Sequence, residues 1–112
     1  MKLKDGRHID MAKSDMKIYR EKIGEWQEAY IDKLCKKYVE LLQSDKLPSD
    51  KFWELEKRIK SDKKHPGVTV TIDKDEMIYD IVKLIRDDAI TLEDLDEFSN
   101  ELRGCVQRLL SM

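Results

Sequence analysis

Two histidines, two cysteines and a dense set of carboxylates are the residues in this 112-residue chain that could do chemistry. His8 lies near the N-terminus and His65 at a helix end, and neither belongs to an HExxH or ExxH pair. A metal ion needs its ligands clustered at such spacings, so both read as surface histidines. Cys35 and Cys105 are far apart, match no CxxC pattern and have no histidine beside them. An activated thiol needs a neighbouring base, and a disulfide framework needs more cysteines than two. They read instead as reduced, buried small hydrophobes on helix stripes. Glu93, Asp94, Asp96, Glu97 and Glu101 crowd one short stretch. Acid–base catalysis needs a carboxylate pair in contrasting environments, whereas these occupy the polar face of a helix. The four glycines are isolated from one another, so no phosphate-cradling loop is present. The expectation is a protein that is not an enzyme and uses neither cofactor nor metal.

Basic residues offer a different chemistry. Lys57, Arg58, Lys60, Lys63, Lys64 and His65 cluster at one helix end, and Lys33, Lys36 and Lys37 can join them. Lys57, Lys60 and Lys64 share a helix face by spacing. Lys57, Arg58, Lys60 and Lys64 thus form a candidate nucleic-acid patch, the alternative functional reading. Glu54, Glu56 and Asp62 interrupt it, and the sequence pI is only ≈ 5.7. The plainer account is a solvated helix end whose cations complement the helix dipole. A helix-turn-helix over 76–110 is disfavoured outright, because its recognition helix would begin Leu92-Glu93-Asp94-Leu95-Asp96-Glu97 and set acids against phosphates.

The elements that carry these residues follow from composition and periodicity. Charged residues are 41% of the chain and hydrophobic residues 40%, with four Gly and two Pro. So much charge requires thin amphipathic elements, and so few turn formers argue against a β-sandwich. Residues 1–64 carry 17 Lys/Arg against 13 Asp/Glu, a charge of +4, and residues 65–112 carry 5 against 11, a charge of −6. Halves of opposite sign can attract each other within one fold or across a symmetric interface. No apolar run approaches the ~20 residues of a membrane span and no leader is apparent, so the expected location is the cytoplasm, away from membranes.

The pattern predicts one all-α domain over 1–112, a four-helix bundle behind a loose arm at 1–10. A long first helix runs from about Ser14 to Gln43, with Met16, Tyr19, Ile23, Trp26, Tyr30, Leu34, Tyr38 and Leu41 or Leu42 on one stripe. Gly24 inside it costs on the order of 1 kcal/mol relative to Ala. Ser49 is the expected N-cap of the second helix, whose stripe is Phe52, Leu55 and Ile59 with Trp53 alongside, and Pro66-Gly67 stops it. Val68-Thr69-Val70-Thr71-Ile72 alternates like a half-buried extended segment. Asp73 opens the third helix, which is the most apolar all round. Thr91 and Asp94 open a last helix carrying Leu95, Phe98, Leu102, Cys105 or Val106, and Leu109, and the short turn before it makes an αα-hairpin.

At ~1.5 Å per residue the first helix outruns its successors, which therefore cannot cover its whole stripe. Tyr19, Ile23, Trp26 and Tyr30 are the residues expected to stay uncovered and to bind a partner, since Tyr and Trp are frequent interface anchors. The expected function is a non-catalytic protein–protein interaction module that self-associates as a homodimer and engages a protein partner.

Overall fold

The computed structural model describes residues 2–112, with side chains from residue 13 onward. Its helices are α1 (Lys2–Leu42), α2 (Pro48–Asp62), α3 (Lys74–Arg86) and α4 (Asn100–Leu110), with a single 3-10 turn at Leu92–Leu95 before α4. No strand forms among the described residues, and the fold is an all-α four-helix bundle. The helical backbone of α1 begins ahead of Ser14, and the side chains of the expected arm at 1–10, His8 included, lie outside the described residues.

The long axis of the molecule is 62 Å against 25 and 22 Å across, the length that 41 helical residues reach at about 1.5 Å each. α1 is therefore a spine, and the other elements divide it between them. α3, the 92–99 segment and α4 cover the described part of its N-terminal half. There Met16, Tyr19, Ile23 and Trp26 pack with Met77, Ile81, Val82 and Leu84 of α3, and with Ile90, Leu95, Phe98, Leu102 and Val106. α2 turns back after a short loop and lies along the C-terminal half of α1. Chain connectivity decides this division, because a five-residue link at 43–47 leaves α2 no route to the far end of the spine.

Helix starts differ from the sequence reading at two places. Pro48 takes the first position of α2 behind an extended Leu47, so Ser49 lies inside the helix and caps nothing. The preset φ of proline suits that first position, which needs no amide donor. The last helix is broken in two. Asp94 accepts the Thr91 amide at 2.8 Å, as the Thr91/Asp94 start requires, but the turn it opens ends at Leu95. A second start follows at Ser99, whose hydroxyl accepts the Leu102 amide at 3.1 Å. Asp73 caps α3 by accepting the Asp75 amide at 2.8 Å. In the segment before it, Val68, Val70 and Ile72 are half-buried while Thr69 and Thr71 are exposed, as alternation predicts, but no strand pairs with it.

Asp15 fixes the break before α4. This carboxylate is 5% exposed and accepts both the Ser99 amide at 2.9 Å and the Ser99 hydroxyl at 2.7 Å. It thereby ties the first turns of the described α1 surface to the cap of α4. Asp15→Ala leaves two part-buried donors unmet, so a loss of about 1–3 kcal/mol is expected, read as a lower urea midpoint. Gly24 behaves oppositely. Nothing lies within 4 Å of a Cβ built there, so no close backbone approach requires a glycine. Gly24→Ala is expected to stabilise by about 1 kcal/mol, seen as a melting temperature higher by a few degrees.

Candidate interaction surface

Among the described residues, α2 is the one helix with no buried residue. Its half-covered residues, Lys51, Glu54, Leu55, Arg58 and Asp62, recur at steps of three and four and mark the side turned to α1. Most of that side is polar. Glu54 accepts from Lys46 and from Arg58, each at 2.5 Å, and these two donors hold its carboxyl below the usual range. Lys51 reaches the carbonyl of Leu42 at 2.8 Å and closes the end of α1. The apolar residues of α2 lie elsewhere. Phe52 and Trp53 are 62% and 61% exposed, packed edge to face with ring centroids 5.0 Å apart.

Among the described residues, six of the nine exposed large hydrophobics belong to this hairpin: Val39 and Leu42 on α1, Leu47 in the loop, and Phe52, Trp53 and Ile59 on α2. Val39 and Leu42 continue a second stripe of α1 through Cys35 and half-buried Ile31, at steps of four and three. From fractional exposures of roughly one half, the six side chains leave on the order of 600 Å² uncovered, at the upper end of what monomers tolerate.

Between this hairpin and the N-terminal bundle lies a polar joint. His65 is 7% exposed, and its ring stacks on Tyr30 with centroids 4.3 Å apart and planes 15° apart. The Gly67 amide donates to His65 Nδ1 at 2.8 Å, which places the neutral-ring proton on Nε2, and Nε2 donates to Asp87 at 2.7 Å. A Cβ on Gly67 would come within 2.7 Å of the Tyr30 ring, so only glycine fits. Gln27 donates to the Pro66 carbonyl at 3.0 Å, and Tyr38 donates to Asp62 at 2.5 Å. Burial, followed by Asp62, pushes the Tyr38 phenol well above its usual range.

Burial alone would raise the Asp87 carboxyl, but hydrogen bonds from Lys83 and His65 outweigh it and leave it below the usual carboxylate range. A depressed native value means that its stabilising contribution is complete above about pH 4 and lost as pH falls through the native pKa. Urea unfolding between pH 7 and 3 is expected to show that decline, flattened in Asp87→Asn.

The structure relocates several residues singled out from sequence. Tyr19, Ile23 and Trp26 are 0%, 7% and 8% exposed. They were expected on an uncovered face, and they lie in the core, because α3 and the 92–99 segment return along that half of the spine. Trp26 stacks on Phe98 and leans on Tyr19, with centroids 6.2 Å apart in each case. The Tyr19 hydroxyl is raised far above its usual range, by burial first and then by Asp80. Tyr30 belongs to the joint. Cys35 is exposed and Cys105 half-buried, both free, so the buried setting expected for them is not found. His65 is no surface residue either, being shut between Tyr30, Gly67 and Asp87.

The basic cluster is divided. Arg58 is held by Glu54, Lys57 and Lys60 are exposed on the outer side of α2, and Lys64 turns into a cleft with Lys33 and Lys37. Among the described residues no group of three or more His, Cys, Asp or Glu is placed to hold a metal ion, and no helix is long and apolar enough to cross a membrane. No family model matches this chain, and neither a curated protein nor a solved structure matches it. Its surfaces carry the functional argument alone.

The hairpin surface was half legible in sequence. Phe52, Leu55, Ile59 and Trp53 stood out as a stripe, but a stripe alone does not say whether it is turned inward.

Proposed function

We propose that this chain is a non-catalytic protein–protein interaction module that pairs with a second copy of itself through its long first helix. The pairing surface is the C-terminal half of α1 together with α2, with Phe52 and Trp53 at its centre. The observation that carries this reading is that α2, an amphipathic helix with an aromatic pair, buries none of its residues within its own chain.

Three arguments favour a second copy as the occupant. Two such faces contribute on the order of 1,200 Å² together, which reaches the lower edge of stable interfaces. Both signs of charge alternate around the patch, with Lys46, Lys51, Lys57 and Lys60 among Asp45, Asp50, Glu54 and Glu56. A two-fold axis can therefore set unlike charges against each other without a like-charged block. A helical hairpin open on one side also meets a copy of itself as the missing half of a four-helix arrangement.

Subunit exchange tests the proposal. Chains labelled at the N-terminus with donor and acceptor dyes are mixed, and energy transfer is expected to appear and to be competed away by unlabelled chain. Absence of transfer at concentrations well above micromolar rejects self-pairing.

A further inference from the structure

Under the joint, α1, the segment after α2 and the end of α3 enclose a cleft of about 760 Å³, within the range of small-molecule sites. We propose that this cleft binds a phosphate group, carried by a small phosphomonoester. The cleft shares α1 and α2 with the pairing surface but not its exposed apolar residues, since Val39, Leu42, Phe52 and Trp53 are absent from the lining.

Charge carries the argument. Five cations enter the cleft from three parts of the chain: Lys33 and Lys37 from α1, Lys64 from the segment after α2, and Lys83 and Arg86 from α3. Three carboxylates, Asp62, Asp87 and Asp88, share it, which leaves an excess of two positive charges. A phosphate ester carries about −1.5 to −2 near neutral pH and neutralises that excess. The acids are also partly engaged within the protein. Asp87 is taken by His65 and Lys83, and Asp62 by the Tyr38 hydroxyl. Two of the cations are instead satisfied by neutral oxygens, Lys33 by the carbonyl of Asp88 and Arg86 by the carbonyl of Leu109. Such contacts orient a cation without cancelling its charge.

Preorganisation distinguishes this cleft from lysines scattered over a surface. Lys33 and Lys37 are four residues apart on a continuous helix and lie side by side. Lys64 precedes His65, whose ring is held on both nitrogens and one face. The cations are thus mounted on elements whose relative positions the joint already fixes, and binding spends little on ordering the backbone. A volume of this size exceeds a bare phosphate, so the ligand has an organic body.

Calorimetric titration with inorganic phosphate, with glucose 6-phosphate and with a single-stranded oligonucleotide tests the proposal. Glucose 6-phosphate is expected to bind in the micromolar to millimolar range and inorganic phosphate more weakly. Lys37→Gln with Lys64→Gln should weaken binding at least tenfold, while Lys57→Gln with Lys60→Gln on the outer side of α2 changes it less than twofold. Amide shifts in the natural chain should centre on Lys33, Lys37, Lys64 and Lys83, a readout independent of any variant's folding. No heat and no shifts with either small ligand overturn the proposal. So does equal loss in both variants, or binding of the oligonucleotide alone, which points to an extended polyanion surface instead.

Discussion

Phe52→Asp combined with Trp53→Asp is expected to give a folded monomer at concentrations where the proposed pair of natural chains forms. Both side chains are already more than three-fifths exposed, so the change removes little from the interior of the single chain. The intramolecular loss is confined to their mutual edge contact, about 0.5–1.5 kcal/mol. The intermolecular loss is far larger. Central Trp and aromatic anchors are worth about 2 kcal/mol or more each at an interface, and each factor of ten in affinity is about 1.4 kcal/mol. Truncation of both therefore weakens pairing by a factor of several hundred or more. Two aspartates facing their symmetry mates add uncompensated charge. Light scattering alongside thermal unfolding separates the two consequences: the mass halves while the folded state persists. A variant of unchanged mass would place the interface elsewhere.

Trp26→Ala is expected to strike the opposite quantity, the stability of the single chain. Trp26 sits between Tyr19 and Phe98 and bridges the spine to the 92–99 segment. Removing a buried indole costs about 3–5 kcal/mol. Domains of this kind hold only about 5–15 kcal/mol in all, so the variant loses a large fraction of its margin. At about 4 °C per kcal/mol its melting temperature falls by more than ten degrees. Urea unfolding monitored by circular dichroism reads this directly. An unaffected midpoint would mean that Trp26 is not packed within its own chain.

The pair of variants shows why the helices were readable and the exposed face was not. Periodicity located the interiors of α1 and α3, the alternation of 68–72, and the Asp73 and Thr91 starts, because each is a local pattern of three to five residues. The break before α4 was not readable. It depends on Asp15 reaching Ser99 across 84 positions of sequence, and no local signal announces such a contact. The inference that a long helix must keep surplus apolar surface was sound in length but misplaced. Aromatic content pointed to Tyr19 and Trp26, whereas chain connectivity decides which half is sheathed. The five-residue link after α1 commits α2 to the C-terminal half, and α2 presents that half with a mostly polar side. His65 was similarly opaque, since its stacking on Tyr30 and its bond to Asp87 join residues 35 and 22 positions away.

A second copy is the proposed occupant of the uncovered α1–α2 face. Sedimentation equilibrium of the natural chain, from low micromolar to a few hundred micromolar, tests this most directly. A mass moving from 13.3 kDa towards twice that value as concentration rises is the predicted result. A mass that stays at a single chain throughout the range would contradict it.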